Sequence, residues 1–201
     1  MNENVLQRES LRKELISNGD GEHNFFEESG ALPNGNGRQD YLKWGDYFMA
    51  IALLAAKRSK DPCTQVGACI VNSEKKIVGI GYNGMPNGCD DNKFPWGKDG
   101  DIYNWKSMYV CHAEMNAILN KNTLDLKNCT IYVGRFPCNE CAKIIIQSGI
   151  REVIYLTCKD ENDVKIRASK RMFDSANVEY KKHIAESPKI VIEFPEDKLT
   201  H

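Results

Sequence analysis

Apolar and polar positions follow two different periods along this chain, and the switches between them predict its elements. From Tyr41, the residues Tyr41, Trp44, Phe48, Ile51, Ala52 and Ala55 recur at helical spacing, which predicts a helix over 41–58. Asp61-Pro62 breaks it. Two β-rich runs follow, 66–71 and 76–82, and the polar stretch 72–75 between them predicts a hairpin turn. Residues 83–110 are rich in Gly, Asn, Asp and Pro and read as one long loop, a length that in a compact domain is usually functional. Beyond it helix and strand alternate: helix over 113–120, strand over 130–133, helix over 138–148, strand over 152–157, helix over 166–176 and strand over 178–182. Gly149 stands where the second of these helices should stop. Strands alternating with helices predict an α/β sandwich around a single sheet, with parallel pairing in its second half. A further apolar run over 189–194 is strand-like.

Three segments emerge. Residues 1–40 are a polar extension with few apolar side chains to offset the cost of ordering, and read as disordered. Residues 41–185 form the folded domain, and 186–201 a tail with the strand-like run. Charge sharpens the first boundary, because residues 1–40 carry a net −4 and the remainder +3. With 27 basic against 28 acidic residues overall, the chain lacks the basic footprint of a polynucleotide-binding protein. No apolar run approaches the roughly 20 residues that span a bilayer, and the first residues lack a secretory plan, so a cytoplasmic protein without a membrane partner is expected. In that compartment the eight cysteines should be thiols or metal ligands.

The informative residues are Cys111-His112-Ala113-Glu114 and, downstream, Pro137-Cys138-Asn139-Glu140-Cys141. Two thiolates three positions apart can face one metal across a single helical turn, and at a helix start the dipole favours their charged form. A C-x-x-C pair alone is weak, since redox motifs share it. Adding His112 gives three ligands of the types zinc prefers, leaving a fourth position open, as in a catalytic site. Glu114, two residues past the histidine, can reach water on that metal without ligating it. Zinc lowers the pKa of such a water from about 15.7 toward 7, and a carboxylate beside it can move the proton. H-x-E followed by P-C-x-x-C is a signature of zinc nucleobase deaminases. A structural zinc instead needs a fourth ligand, from Cys111, Cys129 or Cys158. The cysteines outside the motif (Cys63, Cys69, Cys89, Cys111, Cys129 and Cys158) read best as small buried apolar side chains.

Several stretches narrow the assignment: Arg58-Ser59-Lys60-Asp61-Pro62, Gln65-Val66-Gly67-Ala68-Cys69-Ile70-Val71-Asn72, and above all Gly81-Tyr82-Asn83-Gly84-Met85-Pro86-Asn87-Gly88-Cys89. With Cys111-His112-Ala113-Glu114-Met115-Asn116-Ala117-Ile118 and Phe136-Pro137-Cys138-Asn139-Glu140-Cys141-Ala142-Lys143, they resemble the deoxycytidylate branch of the cytidine and deoxycytidylate deaminase family, over about residues 40–194. The resemblance implies a three-layer α/β/α sandwich around one mixed, mostly five-stranded sheet. It implies hydrolysis of dCMP to dUMP and ammonia for thymidylate synthesis, with one catalytic Zn2+ per subunit. It also implies a homo-oligomer, typically a hexamer, activated by dCTP and inhibited by dTTP, with Mg2+ accompanying the triphosphate. Substrate contacts would fall on Asn83, Ala113, Arg58 and Pro137, and the regulatory nucleotide on Gly84, Met85, Pro86, Asn87 and Asn120.

Other readings of these residues stay open. Asn83 suits a sugar hydroxyl, and equally a tight turn between glycines. Arg58 and Lys60 can meet a phosphate or simply be solvated. Trp96 and Trp105 can stack on a base or seal a subunit interface. Gly134-Arg135 departs from the family, which commonly has an aliphatic pair ending in Leu before Phe-Pro-Cys. The alternatives for the whole chain are a deaminase of another cytosine compound and a non-catalytic nucleotide sensor, against which Glu114 argues.

Overall fold

The computed structural model describes residues 37–194. The predicted disordered extension therefore lies outside the described residues except for 37–40, which are exposed and carry no helix or strand. Residues 42–190 form one compact unit. Its elements in chain order are α1 (Trp44–Ala56), β1 (Gly67–Val71), β2 (Ile77–Tyr82), α2 (Ala113–Leu119), β3 (Thr130–Arg135), α3 (Asn139–Gln147), β4 (Glu152–Thr157), α4 (Val164–Ser175) and β5 (Glu179–Lys182). Within the long loop, two short 3-10 turns occupy Ile102–Asn104 and Lys106–Met108.

The five strands form one mixed sheet in the order β2-β1-β3-β4-β5. β1 runs antiparallel to both β2 and β3, while β3, β4 and β5 are mutually parallel. The predicted hairpin and the predicted parallel half are both present. The parallel pairs need crossovers, and α3 and α4 supply them.

Strand alternation divides the core into two faces. Ala68 and Ile70 of β1, Ile131 and Val133 of β3, and Val153 and Tyr155 of β4 join Ala113, Ala117, Ala142, Ile145 and Phe173 on the side of α2, α3 and α4. Their alternates Cys69, Val71, Tyr132 and Ile154 meet Phe48, Met49 and Ala52 of α1 on the other. This is the three-layer α/β/α sandwich. β1, covered by helices on both sides, is buried at every position.

Helix ends follow local chemistry. Lys43 is extended, so α1 starts three residues after Tyr41. Asp163 accepts a hydrogen bond from the Lys165 N–H and starts α4 two residues before its predicted position. Gly149, at φ +84°, takes the left-handed conformation that ends α3. The run 189–194 forms no strand, although Ile190, Val191 and Ile192 are consecutive apolar residues. Cys63 corrects a second expectation: it is exposed, because it sits in the turn that follows Asp61. Cys69 and Cys129 are buried as expected, Cys89, Cys111 and Cys158 are only half-buried, and burial pushes the Cys69 thiol up to about 12.

Asp46, in the first turn of α1, is buried and receives His183 Nε2 at 2.8 Å and the N–H groups of Glu186 at 3.3 Å and Ser187 at 2.7 Å. Burial works to raise its pKa, but the Ser187 N–H and the His183 ring outweigh it and hold the carboxyl below its ordinary value. A carboxylate depressed on folding contributes stability that is complete above its unfolded pKa of about 3.9 and is lost as pH falls through its folded value. The thermal midpoint is therefore expected to drop as pH falls below about 4, and to drop less in Asp46→Asn. An Asp46→Asn protein with the wild-type acid slope would show that Asp46 is not responsible.

Candidate metal centre and active site

Two helix starts converge to make the site. His112 is the residue that caps α2, and Cys138 is the residue that caps α3, both in extended backbone conformation. Cys141 lies one turn into α3 and is buried, while Cys138 is partly exposed. His112 Nδ1 stands 3.5 Å from Cys138 Sγ and 3.3 Å from Cys141 Sγ. All three ligand atoms lie within 4.8 Å of one another.

Those spacings test the donor set directly. In a zinc tetrahedron with Zn–S of about 2.3 Å and Zn–N of about 2.05 Å, the N···S edge is about 3.6 Å. The His112–cysteine distances match that edge to within a few tenths of an ångström. Among the described residues, no fourth cysteine, histidine or carboxylate joins the group, so a closed four-ligand site of the structural kind is not formed there.

The electrostatics suit a cation. The hydrogen bond from Cys141, and behind it the His112 ring, pull the Cys138 thiol down to about 3. The hydrogen bond to Cys138 and burial push the Cys141 thiol up. The free N–H groups at the starts of α2 and α3 add positive potential.

Glu114 is the second residue of α2 and is 5 % exposed. Burial raises its pKa, against the pull of the His112 ring beside it. Ala113, first in the helix, is buried, and its N–H belongs to the first turn that has no intrahelical acceptor. Pro137 is fully buried behind the cysteines. Close packing fixes α2: a Cβ on Gly81 of β2 would come within 2.5 Å of the Ala113 carbonyl oxygen.

The other predicted residues divide. Gly84 pairs with Cys111 in an isolated two-way bridge, donating at 3.1 Å and accepting at 2.9 Å, so the long loop begins and ends beside His112. Met85 and Pro86 are half-buried and Asn87 is exposed along its first turn. Asn120 ends α2, eight residues and about 12 Å of helix from His112. Asn83 is buried and internally bonded: Oδ1 accepts from Val66 N–H at 2.8 Å, and Nδ2 donates to Thr64 O at 3.0 Å and Asp61 Oδ2 at 3.3 Å. Arg58 is exposed just beyond α1. Trp96 and Trp105 hydrogen-bond within their own loop, to Asp91 O and Gly100 O.

Residues 42–157 match the family model for the cytidine and deoxycytidylate deaminase zinc-binding region. The chain belongs to this family. Its members are hydrolytic deaminases, so the protein is an enzyme, and the His112, Cys138 and Cys141 group is the part of it compatible with zinc. The chain is 57 % identical to the deoxycytidylate deaminase of Homo sapiens over 158 residues, 78 % of this chain and 89 % of that one. It is 54 % identical to a probable deoxycytidylate deaminase of Drosophila melanogaster over 168 residues, covering 81 % and 83 %. Among solved structures it resembles the apo dCMP deaminase of the cyanophage S-TIM5, with TM-score 0.53, 26 % identity, and coverage of 69 % of this chain and 96 % of that one. Among the described residues, no helix is long and apolar enough to cross a membrane.

Sequence reasoning missed Asp61 and Lys106. Lys106 Nζ lies 2.7 Å from both Asp61 oxygens, across 45 positions of sequence. No spacing rule connects them.

Proposed function

We propose that the protein hydrolyses dCMP to dUMP and ammonia. The observation that carries this reading is the three-ligand group set beside a buried carboxylate, in a chain whose relatives at 54–58 % identity are named deoxycytidylate deaminases. His112, Cys138 and Cys141 would hold Zn2+, which when bound supplies a hydroxide-level nucleophile at neutral pH. Glu114 takes one proton from the attacking water and gives it to N3 of the cytosine as the C4–O bond forms. It then takes the second proton from the new C4 hydroxyl and delivers it to the amine as the C4–N bond breaks, leaving the uracil carbonyl and ammonia. Burial raises the Glu114 pKa toward the neutral range, as suits a carboxyl that must both take and give a proton.

The remaining residues orient the nucleotide. The Ala113 N–H reads the pyrimidine carbonyl, and Pro137 walls the ring. Asn83 has both amide hydrogens occupied, but its Oδ1 retains a lone pair that can accept from the sugar 3′-hydroxyl. Arg58 meets the phosphate.

Regulation is the finer part of the proposal. The loop from Gly84 through Met85, Pro86 and Asn87 would take a second nucleotide, dCTP with Mg2+ as activator or dTTP as inhibitor. Its end-to-end bridge at Gly84 and Cys111 would carry the effect to His112. Asn120 joins such a site only if a neighbouring subunit of a homo-oligomer, a hexamer in this proposal, contributes it.

Ammonia release should be measured with dCMP, cytidine, deoxycytidine and dCTP in turn, each with and without dCTP–Mg2+ or dTTP. Turnover of dCMP that rises with dCTP and falls with dTTP is expected. Turnover of another cytosine compound in preference would reject the substrate, and turnover of none by the zinc-loaded protein would reject the enzyme reading.

A further inference from the structure

Asp61 collects an unusual number of partners for one buried carboxylate. Its side chain is 3 % exposed. Oδ1 accepts from the N–H groups of Cys63 at 2.9 Å and Thr64 at 3.1 Å, and Oδ2 from Asn83 Nδ2 at 3.3 Å. Lys106 Nζ, on a side chain 15 % exposed, reaches both oxygens at 2.7 Å. A carboxylate taken out of water needs its charge matched and its lone pairs filled, and here one lysine and three N–H donors do so.

These partners come from three segments that the chain keeps far apart. Cys63 and Thr64 lie between α1 and β1, Asn83 leaves β2, and Lys106 sits in the second 3-10 turn of the long loop. The loop is already tied at its base by the Gly84–Cys111 bridge. Asp61 therefore grips the residue before the bridge on one side, and on the other a residue six positions before His112.

The geometry points to the Lys106–Asp61 pair as a positioning device for Asn83, and through it a determinant of sugar recognition. This rests on the proposed contact between Asn83 Oδ1 and the sugar 3′-hydroxyl. An amide has two faces of opposite character: flipped by 180°, Asn83 would present N–H donors where its oxygen now lies. Three contacts fix the present orientation: the Val66 N–H on Oδ1, and the acceptors Thr64 O and Asp61 Oδ2 on Nδ2. Lys106 keeps Asp61 ionised and turned toward Asn83. Without the lysine, the carboxylate is buried with a net charge; protonating it weakens, and turning it to water removes, the acceptor that Asn83 Nδ2 uses. Neither Lys106 nor Asp61 need touch the nucleotide.

The test compares dCMP with 2′,3′-dideoxy-CMP, which lacks the hydroxyl in question. Wild-type protein should prefer dCMP by about tenfold or more in kcat/KM, the worth of one neutral hydrogen bond to a positioned acceptor. Lys106→Met is expected to bring that preference close to one, mainly by raising KM for dCMP, with zinc content unchanged. Lys106→Arg should restore most of it, because a guanidinium can also span both Asp61 oxygens. If Lys106→Met does not fold, Lys106→Gln is measured in the same way. Asn83→Ala separates the two layers of the argument. Loss of the preference in Asn83→Ala with retention in the lysine variant would overturn the positioning role alone. Retention of the preference in Asn83→Ala would overturn the sugar contact and the positioning role together.

Discussion

Replacing Glu114 with Gln is expected to lower turnover by about 10²–10⁴-fold, the usual worth of a positioned general acid–base group, while zinc content and nucleotide affinity stay at wild-type values. The amide has the same shape and still accepts hydrogen bonds, but it cannot take up and release a proton. The geometry separates that loss from loss of metal, because the Glu114 carboxylate is outside the group formed by His112, Cys138 and Cys141. It is also buried, so bulk water cannot readily replace it as a proton carrier. Elemental analysis for zinc, calorimetry for nucleotide binding and ammonia release for turnover give three independent readings. Loss of zinc would mean that Glu114 supports the metal rather than the substrate. Turnover within tenfold of wild type would return the site to the sensor reading, in which a proton shuttle has no use.

The centre of the site was legible because its spacing is local. Cys138 and Cys141 need only one helical turn to converge, and a histidine two residues before a glutamate needs only a helix start. The structure puts both pairs at helix starts, at α3 and α2. The sheet was legible for a related reason, since β1, β3 and β4 are covered on both faces and so read as short continuous apolar runs. Long-range polar pairing leaves no such trace. Nothing in Asp61 or Lys106 announces an ion pair across 45 positions, because one buried acid and one lysine look like any others until the chain folds. Asn83 was singled out for its place beside a strand end, but its three internal bonds lie in residues with no sequence pattern. Apolar content misled at 189–194, where an apolar run exists but no strand among the described residues pairs with it. Cys63 is the converse case: a residue type that prefers burial was put outside by the Asp61 turn.

The second large effect belongs to Gly81, and it joins packing to chemistry. A methyl group there would overlap the Ala117 nitrogen and stand 2.5 Å from the Ala113 carbonyl oxygen and 2.7 Å from the Asn116 carbonyl carbon. All three are backbone atoms of α2, so no side chain can swing aside, and the helix itself must move away from β2. α2 carries His112 at its cap and Glu114 in its first turn, so displacing it by an ångström misaligns both with Cys138 and Cys141 on α3. Gly81→Ala is therefore expected to cost about 3 kcal/mol of stability, the upper range for overpacking, and about 100-fold in turnover, the penalty for misplacing reacting groups by about 1 Å. Zinc affinity should fall with it. Gly134→Ala makes the control: on β3, on the far side of β1 in the same sheet, the same methyl meets only Leu53 Cδ2 at 3.7 Å, an ordinary contact. That variant should keep its thermal midpoint and its zinc. Equal losses in the two proteins would mean that glycine is required in these strands for backbone reasons. No loss in Gly81→Ala would mean that α2 is free to shift without carrying the site with it, and the link from helix packing to metal geometry would fail.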